Sequence, residues 1–190
     1  ILIGLVGSEM CIRDRFLENW CWEEEALAFI SCLFETGEPL PKEMLDKMLA
    51  AKNFQSAMGI LRQLEFGRFD FTLHTEYDPE VGARVLETLA EVKEKVAVVP
   101  AVEWARFSHS FGHIFAGGYS AGYYSYLWAE VLSSDAFSRF EEEGIFNKET
   151  GLSFLNNILE MGGSEEPMEL FKRFRGREPE IDALLRGIAA

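Results

Sequence analysis

His113-Ile-Phe-Ala-Gly-Gly-Tyr-Ser-Ala-Gly-Tyr-Tyr-Ser-Tyr-Leu-Trp128 joins two adjacent glycines to four tyrosines within eight residues. The pattern predicts a helix from Tyr119 to Glu143. It stops at Gly144, a residue type that adopts the left-handed angles found just past helix ends. On such a helix Tyr119, Tyr123 and Tyr126 fall at i, i+4 and i+7, on one face. A phenol is uncharged at neutral pH and both donates and accepts hydrogen bonds. Three phenols on one face, entered through a Gly117-Gly118 hinge, can hold a peptide carbonyl or the oxyanion that develops on it. An aromatic stripe at helical spacing also serves as plain core packing. Two features favour the polar role. The chain has 16 Phe and 5 Tyr, so Tyr is the less common aromatic, and each buried hydroxyl needs a partner.

Working outward, the rest of the chain also reads as helix. Phe16–Phe34 carries apolar residues at helical spacing and stops before Thr36-Gly37-Glu38-Pro39. Lys42–Ala51 is a short amphipathic helix, and Asn53 is placed to cap a longer one running towards His74. Pro79–Val96 is a helix with proline near its start. Asn147 is placed to cap a helix reaching Glu160, and Ser164 to cap the next. A last short helix follows Pro179. No repeat, low-complexity tract or long linker interrupts the pattern, so the expected fold class is all-α.

The 190 residues suffice for one domain with a proper core, and 48% hydrophobic content marks a globular chain. A formal net charge of -14 argues against nucleic acid and anionic membrane surfaces as partners, though not against peptides. Cys11, Cys21 and Cys32 are odd in number and lack a Cys-x-x-Cys pair, which suits a reducing compartment better than a disulfide frame or zinc ribbon. No apolar run reaches membrane-spanning length. Arg173, Arg175 and Arg177 can bind carboxylates, and they also stand where cations complement the negative end of a helix, the commoner role.

The catalytic inventory is one-sided. His109 and His113 are four apart, but the residue after His109 is Ser110, where a hydrolytic zinc helix needs glutamate. Gly112 weakens a helix at that point, and no pattern ties in His74. The chain shows no serine elbow, phosphate loop or dinucleotide fingerprint. It offers oxyanion donors without a nucleophile, an activated water or a base.

Several ordered motifs resemble one family. They are Phe16-Leu-Glu-Asn-Trp-Cys-Trp22, Thr36-Gly-Glu-Pro-Leu-Pro41, Gln63-Leu-Glu-Phe66, the Gly-Gly-Tyr segment, Phe140-Glu-Glu-Glu-Gly-Ile-Phe146, Gly162-Gly-Ser-Glu-Glu-Pro-Met168 and Phe174-Arg-Gly-Arg-Glu-Pro179. Together they resemble the C-terminal part of the thimet oligopeptidase family, its bacterial branch above all, over about Phe16–Leu185. The resemblance implies a cytoplasmic zinc metalloendopeptidase that hydrolyses short peptides in a channel between two mainly helical lobes. Residues 16–190 would be the C-terminal part of its catalytic domain. The family's zinc is held by a His-Glu-x-x-His helix and a further glutamate, all of which would precede Phe16. In this chain the register of that third ligand is occupied by Cys11. By the same resemblance Tyr126 and Tyr119 stabilise the oxyanion, Tyr123 contacts substrate, and Gly117 and Gly118 form a bending loop beside it. His113 stands one residue out of step with the family's functional histidine near this loop. No residue of this chain is assigned to the metal, so 16–190 alone is expected to be inactive.

Residues 1–15 match nothing in the family. Leu5-Val-Gly-Ser-Glu-Met-Cys-Ile-Arg-Asp-Arg15 reads as translated sequencing-adapter read-through, so 1–15 are expected to be a non-native N-terminus. Two competing functions remain: a peptidyl-dipeptidase of a sister branch, which requires a free substrate C-terminus, and a non-catalytic helical module that grips a peptide without cutting it.

Overall fold

A computed structural model describes residues 15–189. The expectations for the N-terminal segment and for Cys11 lie outside the described residues. The described residues are helical, with turns and loops between, and no strand occurs among them. They gather into two compact units, one formed by residues 15–54 and 128–189, the other by Gln55–Leu127.

The first unit contains α1 (Glu24–Ile30), α2 (Lys42–Lys52), most of α6 (Ser125–Glu143), α7 (Lys148–Phe154), α8 (Pro167–Arg175) and α9 (Asp182–Ala189). Its core is aromatic: Phe16, Phe137, Phe140, Phe154, Phe171 and Phe174 are buried together with Leu132 and Ala136. Phe16 stacks on Phe154 at 4.1 Å between ring centroids, and Trp20 meets Phe137 edge-on at 4.8 Å. Such pairs add to the large area each ring buries.

Phe16–Phe34 is not one helix. Residues 15–18 are helical, Asn19–Trp22 tighten into a 3-10 turn, and Glu23 is extended before α1 begins. The break has a tertiary cause. Asn19 donates to the Phe16 carbonyl and the Ser133 hydroxyl, and the Trp20 indole N–H donates to the Ile145 carbonyl at 3.0 Å. Asn147 does cap α7, its side chain accepting from the Glu149 and Thr150 amides. That helix continues as one wider π turn, Leu155–Leu159, up to Glu160. Ser164 caps nothing: α8 opens with Pro167 after Glu166. Gly144, at φ +108, ends α6 as its residue type suggested.

The three arginines are more than dipole complements. Arg173 pairs with Glu165 at 2.6 Å. Arg175 and Arg177 converge on Asp135, a carboxylate fully excluded from solvent. Arg177 donates to its two oxygens at 2.6 and 2.7 Å, and the Glu180 amide adds a bond at 2.8 Å. Burial pushes the Asp135 carboxyl upward. The Arg177 hydrogen bonds, the Glu180 amide and Arg175 together outweigh burial and hold it below the usual carboxylate range.

The second unit contains α3 (Ser56–Thr75), α4 (Val85–Val96) and α5 (Gly112–Phe115), and it includes the first residues of α6. Phe69, Leu89, Val92, Phe111 and Ile114 form its core. Phe66, Phe69 and Leu73 follow the helical period along α3. Asn53 does not cap α3: it closes α2, and Gln55, at φ +55, precedes α3. Pro79 does not start α4. Asp78 folds its own turn, accepting from the Glu80, Val81 and Gly82 amides, and Gly82 at φ +84 leads the chain out of it. The helix therefore begins six residues later than the proline suggested, at Val85.

A depressed carboxyl stabilises the fold above its unfolded pKa, about 3.9 for aspartate, and that stabilisation is lost as pH falls through the folded value. Urea unfolding is therefore expected to become easier below about pH 4. Asp135→Asn is expected to lower stability at pH 7 by about 3 kcal/mol, since it removes the charge of a fully buried carboxylate from its partly buried arginine partners, and to flatten the acid dependence. Equal acid slopes in the parent and variant would contradict this role for Asp135.

Candidate active site

The tyrosine segment does not form the helix its spacing suggests. α6 begins at Ser125, and residues 119–124 are a succession of turns. Three features prevent the longer helix. Gly118 (φ +80) and Ala121 (φ +54) are both left-handed, which a right-handed helix excludes. Gly117 and Gly122 add backbone freedom that opposes helix propagation. The amides of Ala121 and Tyr123 are already bonded elsewhere. They donate to the two oxygens of Asp70 on α3, each at 2.9 Å.

The turns are closed one on another. α5 ends with the Ala116 and Gly117 amides both donating to the Gly112 carbonyl. The Tyr119 amide reaches back to the His113 carbonyl at 3.1 Å, and the Ser120 hydroxyl to the Ile114 carbonyl at 2.6 Å. Gly122 then donates to Tyr119, and Tyr126 to Tyr123.

These turns still achieve the grouping that helical spacing suggested. The rings of Tyr119 and Tyr126 lie 4.9 Å apart, and those of Tyr123 and Tyr126 lie 5.0 Å apart. The His113 imidazole stands 6.3, 6.1 and 6.4 Å from Tyr119, Tyr123 and Tyr126 respectively. All three phenols are half-buried and His113 is exposed. Tyr123 also packs against Phe111 and Phe66, at 5.0 and 5.6 Å, so it ties the cluster to the core. Tyr124 is exposed and belongs instead to an apolar groove with Leu64, Phe71 and Leu127. Gly117 and Gly118 lie in the turn leading into Tyr119 and take no part in the ring cluster. Their roles differ: Gly118 supplies a left-handed angle, whereas Gly117 packs so closely that a Cβ would sit 2.8 Å from the His113 Cα.

His109 and His113 belong to different elements, a 3-10 turn (Phe107–His109) and α5. No group of three His, Cys, Asp or Glu among the described residues is placed to hold a metal ion. The sequence reading missed Asp70 and His74. Asp70 is fully buried, and His74 Nδ1 lies 2.9 Å from its Oδ1. The available signal was an aspartate between Phe69 and Phe71 on a helix, with histidine one turn later: a buried charge that needs partners.

The pattern of peptidase family M3 matches residues 14–190. Oligopeptidase A of Escherichia coli is 75% identical over 182 residues, which is 96% of this chain and 27% of that protein. The organellar oligopeptidase A of Arabidopsis thaliana is 48% identical over 92% of the chain and 23% of its own length. The dipeptidyl carboxypeptidase of E. coli is 33% identical over 89% of the chain and 25% of its own length. The chain thus spans about a quarter of the length of the curated relatives it matches.

Gly117→Ala is expected to displace the turn, because the new methyl meets backbone atoms that cannot move aside. Gly122→Ala places its methyl 3.5 Å from the nearest atom, the Tyr119 carbonyl oxygen, and is expected to be tolerated. Amide hydrogen exchange over residues 117–124 should accelerate in the first variant only. Equal protection in both would show that close packing at Gly117 does not set the turn.

Proposed function

The chain belongs to peptidase family M3, and from that premise we propose that it carries the oxyanion-binding part of a zinc metalloendopeptidase acting on short peptides. The supporting observation is the convergence of Tyr119 and Tyr123, carried by the turns, with His113 of α5 and Tyr126 of α6. Peptide hydrolysis passes through a tetrahedral intermediate whose former carbonyl oxygen is negatively charged. Donors already fixed around that oxygen lower the barrier more than donors that must reorganise. The Tyr126 and Tyr119 hydroxyls are the donors in this reading. Tyr123, Gly117 and Gly118 shape the surface against which the peptide lies, and His113 supplies a further polar edge.

The residues described do not fit a zinc ion, since no three potential ligands come together among them. The metal's ligands, on the family resemblance, belong to sequence preceding Phe16, and 16–190 is then the C-terminal part of the catalytic domain, inactive by itself. Cys21 and Cys32 are free thiols, which supports a cytoplasmic setting. Among the described residues no helix is long and apolar enough to cross a membrane. The higher identity to oligopeptidase A than to dipeptidyl carboxypeptidase favours endopeptidase action.

In the full-length protein that carries this chain, Tyr126→Phe is expected to lower kcat by about 100- to 1,000-fold, the usual effect of removing one oxyanion donor, with little change in KM. A quenched fluorescent peptide provides the assay, and an unchanged kcat would remove Tyr126 from the chemistry. A second assay uses a peptide with an amidated C-terminus. An endopeptidase is expected to cleave it, whereas failure on the amidated form alone would point to a peptidyl-dipeptidase.

A further inference from the structure

We infer that Asp70 is the positioning residue of this site: its buried carboxylate holds the backbone of the tyrosine turn in the one arrangement that brings Tyr126 and Tyr119 together. The inference rests on the oxyanion reading above and adds to it the group that makes the arrangement rigid.

Asp70 lies on α3 and is 0% exposed. Its oxygens are divided between two backbone donors, Oδ1 accepting from Ala121 and Oδ2 from Tyr123, each at 2.9 Å. The residue between those donors is Gly122, and Ala121 itself is at φ +54, an angle a residue with a Cβ adopts only when its surroundings impose it. A helix continued back to Tyr119 would take the Tyr123 amide for the Tyr119 carbonyl, while Ala121 would stand in its first turn, whose amides have no partner within the helix. A carboxylate shut away from water must find donors, and hydrogen bonds to an ionised acceptor are among the stronger kinds. The competition is therefore settled in favour of the turn.

His74 completes the arrangement from one turn along α3. Its Nδ1 lies 2.8 Å from the Asp70 carbonyl oxygen and 2.9 Å from Oδ1. Asp70 is bonded to the main chain of the turn, at the Ala121 and Tyr123 amides. It acts through the main chain, fixing where the turn ends and α6 begins, and so where Tyr126 points. Tyr119, on the other side of the turn, is bound back to His113 and Gly122. Movement of the Ala121–Tyr123 backbone would separate the two hydroxyls that must reach one oxygen.

The test uses the full-length protein. Asp70→Asn keeps the size and one acceptor oxygen but loses the charge. It is expected to lower kcat by about 10- to 100-fold, since small misplacement of catalytic groups has effects of that order. KM should stay within about 3-fold and zinc content should match the parent. Hydrogen exchange over residues 117–124 is expected to accelerate by about 10-fold while exchange over 148–154 does not change. The combined Asp70→Asn, Tyr126→Phe variant should be no slower than Tyr126→Phe alone, because a misplaced donor and a missing one are the same loss. Independent, multiplying effects would overturn the inference, as would a normal kcat in Asp70→Asn beside an impaired Tyr126→Phe. An unimpaired Tyr126→Phe overturns the oxyanion reading instead, and this inference falls with it. Should Asp70→Asn fail to fold, His74→Ala takes its place. It leaves the carboxylate but removes the contact to Oδ1, and the same split is expected on a smaller scale. Unchanged kcat and unchanged exchange in that variant overturn the inference.

Discussion

A negative charge is buried in the second unit, and the local backbone is organised around it. Asp70 is a side chain without solvent contact, and burying such a polar group is costly unless donors surround it. The donors come from the Ala121 and Tyr123 main chain and from His74. The Tyr123 amide given to Asp70 is withdrawn from any helix that would run back to Tyr119, and this withdrawal shapes the segment. A left-handed alanine is disfavoured by about 1–2 kcal/mol. Two charge-assisted hydrogen bonds, at about 1.5–3 kcal/mol each, are enough to offset it. The turn is thus held by tertiary structure against local preference, the usual situation of a backbone built to place a functional group.

Asp135 in the first unit provides a contrast. It is equally buried, but its donors are mostly side chains, Arg175 and Arg177, with a single amide from Glu180. Those arginines come from the end of α8 and the residues just after it, so the ion cluster pins that helix end to α6. There is no left-handed non-glycine residue at Asp135's partners, and the aromatic core of the first unit surrounds α6 on the same stretch. One buried aspartate secures packing. The other is bonded to the backbone of a loop.

The element types were legible in the sequence, because long amphipathic stretches such as Ser56–Thr75 and Val85–Val96 carry their period openly. The tyrosine grouping was legible too, though for a mistaken reason. Helical spacing put Tyr119, Tyr123 and Tyr126 on one face, and the structure groups them through turns instead. Long-range bonds account for the misses. Nothing near Asn19 in sequence announces Ser133, and nothing near Ala121 announces Asp70, 51 residues earlier. Proline and asparagine misled at Pro79 and Asn53 for a related reason: each fits a cap, but neighbouring turns at Gly82 and Gln55 claimed the backbone first.

On the proposed oxyanion reading, the choice of phenols at the site follows from the same electrostatic setting. A chain with a net charge of -14 is a poor environment for an anionic intermediate unless donors are placed against it. A lysine or arginine among the tyrosines would supply attraction, but it would also bind free carboxylates in the ground state, and uniform binding of that kind does not raise the rate of the chemical step. A neutral O–H gains most when the oxygen before it acquires full charge, so its contribution is concentrated in the transition state. That advantage exists only if the hydroxyls are held in place beforehand. A tyrosine on a flexible glycine-rich loop would lose it to reorganisation. The permissive backbone at Gly117 and Gly118 and the constraint at Asp70 are therefore complementary: the first lets the chain make an otherwise forbidden turn, and the second ensures that it makes only one.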